Sequence, residues 1–326
     1  MRLDYQPLAG SCGRWACQID GEIPTITFTE DIDSIRRQLA ARQAVAFAAC
    51  HGRSNEDDAL TSDPLWNVGR WLGETIGVSL PSTCKLVSLE LCQQTGGLSW
   101  ELLPAGDRPV GLVGPVQRQL RQHDARPIQM GQIRRVLLIA GENTEPKLPC
   151  LEMEIKAIER FGRHHNVFVD RWRPDANRVA DLIDKVAHAD IVHVCGHVHE
   201  ATTEDGRFEH RLQLDGHRGT ELSLASLVPD GRPRPRLVWL NTCHAGMPIA
   251  GGAAASLLEA GCTSLIGSLL PIADETAAKF VHLFYQRLIA GGDVAWCVYE
   301  LRRSLAAMAH PGWSSIVSYG KGDRLF

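Results

Sequence analysis

The sequence predicts an α/β fold built on a mostly parallel sheet sandwiched between helices. Two observations carry that prediction. From Arg134 onward, short apolar runs alternate with stretches of helical periodicity. Strands separated by helices need crossover connections, which set neighbouring strands parallel. The strand candidates, among them RRVLLIA, ADIVHVC and RLVWLN, are near-continuous apolar runs rather than alternating ones, as strands covered on both faces are. At 326 residues the chain is long for one compact domain and short for three.

The elements follow in order. RWACQI and TITFT flank Asp20-Gly21, a favoured turn pair, and predict a hairpin. Residues 30–42 read as a helix leading into a strand, VAFAAC. Asp63-Pro64 supplies an N-cap and a first helical residue for a helix ending near Gly77. KLVSLEL is an apolar strand. The segment 105–132 is rich in Gly, Pro, Gln and Arg and reads as an irregular junction between a first half, residues 1–130, and a second, residues 131–326. In the second half RRVLLIA, NVFVDRW, ADIVHVC, RLVWLN, TSLIGSLL and WSSIVSYG read as strands. LEMEIKAIERF, ANRVADLIDKVA behind its cap Asp175, GGAAASLLEA, DETAAKFVHLFYQRLIA and DVAWCVYELRRSL read as helices. Residues 33–52 resemble a faint copy of residues 181–197, each a helix leading into a strand that ends in Cys and His. KLVSLELC likewise parallels RLVWLNTC. Two readings stand: an internal duplication with a degenerate first half, or the common look of buried βα units.

Bulk composition narrows the function. The chain is 44% apolar and 22% charged, ordinary for a globular protein, with a net charge of -4. That balance argues against nucleic acid or an anionic membrane as partner. No window approaches ~18 apolar residues, so no spanning helix is expected, and MRLDYQPLAG has no apolar core of a signal peptide. Ten scattered cysteines without a CxxC pair fit a reduced, cytoplasmic protein. No GxGxxG or GxxxxGK[ST] follows a strand, which disfavours nucleotide binding. No cofactor is expected.

Two stretches hold chemistry. In LVWLNTCHAG, apolar residues run to Leu240, and then Asn241, Thr242, Cys243 and His244 leave the strand. A Cys at the carboxyl end of a buried parallel strand stands where α/β active sites form, and the backbone N–H of Cys243 is an oxyanion donor. In IVHVCGHVHE, His193, Cys195, His197 and His199 share one strand face. His197 ends that strand and is placed to take the Cys243 proton and return it to a leaving amine.

ADIVHVCGH, LVWLNTCHAG and GGAAASLLEAGCTSLIGSLLPIADETAAKFVHLFYQRLIAGG together resemble the CHAT domain, a caspase-like cysteine peptidase domain. LSWELL and WSSIVSYG also fit, so the resemblance spans roughly residues 80–322. NTCHAG is similar to the nucleophile motif of metacaspases. The resemblance implies a caspase-like fold, with His197 as general acid–base and Cys243 as nucleophile. It implies an oxyanion hole from the backbone at Val198 and Cys243. It also implies a dedicated protein substrate, gasdermin-like in several members, an activating partner chain or signal, and a role in bacterial defence or cell death. Some members carry a degenerate caspase-like half ahead of the active one, which suits the faint repeat.

The chain departs from the family pattern in three places. Val198 stands where a Gly usually follows the His. Asn241 replaces the Asp of metacaspases, which weakens the case for a strongly basic-selective pocket. Leu270 replaces a Trp. Asn241 and Asp274 are the substrate-pocket candidates, although Asp274 equally fits a helix N-cap. No tetratricopeptide repeats are present.

Rival readings remain open. A caspase-like scaffold without catalysis would keep the fold. A metal site would use His193, Cys195, His197 and His199 with Cys243, but i and i+6 on a strand lie about 20 Å apart, so no single ion takes all four strand residues. A third reading puts the active pair at His51 and Cys92. His199 has no assigned role.

Overall fold

The computed structural model describes residues 2–7, 13–18, 25–27, 32–51, 64–82, 87–91, 96–120, 133–141, 146–172, 179–204, 206, 208–215, 220–228, 234–248, 252–289 and 292–320. The chain divides into two compact units. One comprises Met1–Arg121 with Val298–Ile316, and the other Gln122–Cys297 with Val317–Phe326.

In the first unit, β1 (Arg2–Pro7), β2 (Gly13–Gln18) and β3 (Thr25–Thr27) form an antiparallel sheet. The expected hairpin is the β2–β3 pair, with Arg14 opposite Thr27, while Asp20-Gly21 lies outside the described residues. Helix α1 (Ile32–His51) runs straight through the segment expected as a strand. The correction has a plain cause. AVAFAAC is rich in Ala, the best helix former, and Ile35, Leu39, Gln43 and Ala46 fall on one buried face at helical spacing. The parallel between residues 33–52 and 181–197 therefore does not extend to a strand. His51 ends a helix, and Cys92 lies outside the described residues.

Helix α2 (Pro64–Ile76) begins on its proline and buries Leu65, Trp66, Leu72 and Ile76. Strand β4 (Val87–Leu91) is followed by the short pair β5 (Pro104–Ala105) and β6 (Arg108–Pro109), the single-turn α3 (Val110–Val113) and β7 (Val116–Leu120). β7 pairs parallel with β4. The junction expected to be irregular therefore holds ordered structure up to Leu120.

A buried ion cluster stitches this unit. Glu101 accepts from Arg118 Nε at 3.0 Å and Arg302 Nη2 at 3.3 Å. Arg118 also donates to the Leu98 carbonyl at 2.8 Å, and Arg302 to the Ile316 carbonyl at 2.6 Å. All three side chains are fully buried. Burial alone would raise the Glu101 pKa, but the charges of Arg118 and then Arg302 outweigh it and hold the carboxyl below its usual range. Burial brings the Arg302 guanidinium down to about 10.

The second unit contains β8 (Arg135–Ala140), α4 (Leu151–His165), β9 (Phe168–Trp172), α5 (Val179–Ala187) and β10 (Ile191–Cys195). An antiparallel sheet follows, β11 (Val198–Thr202), β12 (Phe208–Asp215) and β13 (Thr220–Ser223). The chain returns through β14 (Leu237–Asn241), α6 (Ala253–Glu259), β15 (Ser264–Ser268), α7 (Asp274–Ile289), α8 (Val294–Ala307) and β16 (Ile316–Gly320). From Val298 on, α8 groups with the first unit.

The central strands of this second unit lie in the order β16–β15–β14–β10–β8–β9. The pairs β15/β14, β14/β10, β10/β8 and β8/β9 are parallel. β10, β14 and β15 are buried at every position, the signature of a sheet flanked by helices on both faces. Helices α4 and α7 pack together. Trp239 meets Phe284 edge-on at 4.6 Å and His193 at 4.8 Å, so one sheet face is filled by rings. The mixed α/β architecture with a mainly parallel sheet is the one expected. The β11–β13 sheet is an addition to the expected elements, although FEHRLQLD lies between Asp205-Gly206 and Asp215-Gly216, both favoured turn pairs. No helix among the described residues is long and apolar enough to cross a membrane.

Candidate active site

The parallel register sets the site. Cys195 and Asn241 are partners at the carboxyl ends of β10 and β14. His197 and Cys243 each follow two residues later, so they leave the sheet at the same edge from neighbouring strands. Gly196 turns the chain off β10 with φ of 140°, a conformation that favours glycine. His197 is half-buried, and its Nε2 lies 2.6 Å from the Pro146 carbonyl. Cys243, also half-buried, accepts from the Ile272 N–H at 3.4 Å through Sγ. Among the described residues no hydrogen bond joins His197 to Cys243, and none engages the Cys243 N–H.

The turn after Cys243 is tight and clamped. His244 takes a left-handed φ of 56°, rare for a residue with a side chain. Its Nδ1 lies 3.2 Å from the Leu269 carbonyl. Gly246 donates to Ser268 O at 2.9 Å and accepts from Tyr319 Oη at 2.8 Å. The expected small residues are thus a packing requirement: a Cβ on Gly246 would stand 2.7 Å from the Gly267 and Ser268 backbone.

Beneath the turn lies a buried polar group that sequence reasoning missed. Glu154 Oε1 is 2.7 Å from His193 Nε2 and accepts from Asn241 Nδ2 at 2.7 Å. Asn241 also donates to the Ala277 carbonyl at 3.2 Å. Both amide hydrogens are thus spent inside the fold, while Oδ1 has no hydrogen-bond partner among the described residues, and the residue is 5% exposed. Tyr285 Oη is 3.4 Å from His193 Nδ1. Burial, with Glu154 and Cys195 adding to it, pushes the Tyr285 phenol up. The sequence signal for Glu154 was its place in LEMEIKAIERF, where it lies on the same stripe as Leu151, Ile155 and Ile158. A carboxylate on a buried stripe needs an internal partner. Glu154, His193 and Cys195 also offer three donor atoms within 4.8 Å of one another.

The second pocket candidate, Asp274, opens α7 and accepts from the Cys150 N–H at 2.5 Å. Burial first, and the Asp274 charge second, raise the Cys150 thiol pKa. Val198 opens β11. Gln213 N–H bonds to His197 O while Val198 sits opposite Leu212. That makes Val198 and Leu212 a non-hydrogen-bonded pair and turns the Val198 N–H away from β12.

The CHAT domain family model matches residues 68–321. The chain belongs to the CHAT domain family. No curated protein sequence matches this CHAT protein. Among solved structures it is similar to separase in two crystal structures of the Saccharomyces cerevisiae separase–securin complex. One shows 14% identity and a TM-score of 0.46, covering 83% of this chain and 18% of separase. The other shows 13% identity and a TM-score of 0.48, covering 88% and 22%. The CHAT chain thus spans less than a quarter of the separase chains.

Two further histidines of the CHAT domain find their places. His199 is exposed and pairs with Glu221 at 3.1 Å across the β11–β13 sheet. His210 accepts the N–H of Ala253, the first residue of α6, at 3.0 Å through Nδ1. Burial, helped by the charge of His244, lowers the His210 pKa from 6.5 to about 4. The folded state therefore holds this ring neutral while the unfolded chain protonates it near 6.5. The stability it contributes is present above pH 6.5 and lost as pH falls toward about 4. His210→Gln keeps an acceptor for Ala253 without titrating. Its melting temperature should fall less than the wild type's between pH 7 and 4.5; parallel curves would exclude the assignment.

Proposed function

We propose that this CHAT domain is a cysteine endopeptidase in which Cys243 is the nucleophile and His197 the general acid–base. The observation that supports this most is the register of β10 and β14, which brings the two residues to one edge. The Pro146 carbonyl can only accept, so the His197 proton resides on Nε2 and Nδ1 keeps a lone pair for the thiol. The Ile272 N–H, 3.4 Å from Sγ, helps to hold the sulfur in place.

In this reading the Cys243 thiol passes its proton to His197 and forms a C–S bond to the peptide carbonyl. The oxyanion takes hydrogen bonds from the Cys243 N–H and the Val198 N–H. The C–N bond then breaks as His197 protonates the leaving amine, and water releases the acid from the thioester. Asp274 stands beside the site as a pocket residue. Asn241 shapes that pocket from below.

The same reading takes in a dedicated protein substrate, gasdermin-like in type, and an activating partner chain or signal in a bacterial defence pathway. It places the protein in the cytoplasm, consistent with the free cysteines Cys150, Cys195, Cys243, Cys262 and Cys297. These parts, and a degenerate caspase-like first half, rest on family resemblance. The test is labelling by a panel of peptidyl acyloxymethyl ketones followed by peptide mass spectrometry. The expected result is an adduct on Cys243 that forms at least ~100-fold more slowly in His197→Ala. No adduct, even with cell extract added to supply partners, would leave a catalytically silent scaffold.

A further inference from the structure

We infer that Glu154 is a positioning residue that ties together the two arms carrying Cys243 and His197. This rests on the Cys–His reading above. A single carboxylate oxygen serves both strands: Oε1 meets His193 in the middle of β10 and Asn241 at the end of β14. His193 is four residues before His197, and Asn241 two before Cys243. Glu154 is 2% exposed, and His193 is fully buried. Without Glu154, two buried donors would lose their acceptor.

The tie extends to the group that orients His197. Glu154 lies in the first turn of α4, and Cys150 caps that helix. The Cys150 N–H is held by Asp274 at the start of α7, and Ala277 of α7 accepts from Asn241. A ring therefore closes from Asp274 through Cys150, Glu154 and Asn241 to Ala277. The loop that ends at Cys150 carries Pro146, whose carbonyl holds the His197 imidazole. The nucleophile arm and the base arm thus share one anchor. A shift of Glu154 moves both, and reacting groups misplaced by ~1 Å lose ~100-fold in rate.

Glu154, His193 and Cys195 form the alternative, a cation site. The hydrogen-bond reading is favoured because Oε1 already receives two donors. A bare carboxylate awaiting an ion would not be satisfied in this way.

The experiment measures carbamidomethylation of each cysteine by iodoacetamide at pH 7 in the full chain, resolved by peptide mass spectrometry. In Glu154→Leu, which removes the acceptor, Cys243 should react about tenfold more slowly, while Cys195, Cys262 and Cys297 stay protected. Glu154→Gln keeps an acceptor oxygen and should restore most of the rate. A merely structural role would move the readout the other way, since loosening the fold exposes every thiol. Asn241→Ala cuts the tie to β14 but keeps the Glu154–His193 contact, and should slow Cys243 likewise. It carries the test if Glu154→Leu does not fold. His197→Ala separates the two ideas. If it leaves Cys243 reactivity unchanged, the Cys–His reading fails. If it slows Cys243 while neither Glu154→Leu nor Asn241→Ala does, the tie fails. Stoichiometric zinc in the purified protein, lost in His193→Gln, would overturn the hydrogen-bond ring in favour of a cation site.

Discussion

Gly246→Ala is expected to cost about 3 kcal/mol of stability and to suppress probe labelling of Cys243 by at least ~100-fold. The added Cβ would stand 2.7 Å from Gly267 C and Ser268 N, and these are backbone atoms of a buried strand that cannot swing aside. The turn must therefore lift away from β15. Lifting it breaks the Gly246–Ser268 bond and the Tyr319–Gly246 bond. Cys243 lies three residues earlier in the same turn and moves with it. Tyr319→Phe is the graded control, since it removes only one hydrogen bond. It should cost about 1 kcal/mol and leave labelling within a few-fold of wild type. Urea unfolding and the labelling rate read both effects. A Gly246→Ala protein that labels at the wild-type rate would show that the close approach to β15 does not hold Cys243.

Glu101→Ala should destabilise the protein by about 3–5 kcal/mol, although it lies away from Cys243 in sequence and in the other unit. The loss comes from what remains. Arg118 and Arg302 are fully buried and would face each other without the carboxylate between them. Replacing Arg302 by Met in the same protein removes one of the stranded charges and should recover part of the loss. Acid dependence gives a second reading. The folded Glu101 pKa lies below its ordinary value. Its contribution is therefore complete above the ordinary carboxylate pKa and is lost as pH falls through the lower folded value. Glu101→Gln should flatten that limb of the stability curve. An unchanged unfolding midpoint in Glu101→Ala would mean that the two arginines find other acceptors.

The second unit was far more legible in the sequence than the first, for a physical reason. Buried parallel strands such as ADIVHVC and RLVWLN are near-continuous apolar runs, broken only by single polar residues such as His193, and the helices between them carry clear stripes. Reading those strands to their ends also located His197 and Cys243. In the first unit, AVAFAAC is apolar whether it is read as strand or helix, and only its alanines and the spacing of Ile35, Leu39 and Gln43 decide for helix. The partners of Glu154 and Pro146 were not readable for another reason. Their roles come from contacts with residues 39 and 51 positions away in sequence, and no local pattern encodes such pairings. Asn241 was noticed for its place before the nucleophile, but its inward bonds to Glu154 and Ala277 depend on α4 and α7 packing over β14.

The carbonyl that receives His197 belongs to Pro146, and this has a practical consequence. Like the Ile272 N–H at Cys243 Sγ, this acceptor is carried by the main chain and survives any substitution at its position. A scan of point variants would pass over it. Only a change in the path of the loop, through insertion, deletion or a bound partner, can withdraw it. Control of His197 is therefore vested in loop length and conformation, where variation between relatives is most easily tolerated.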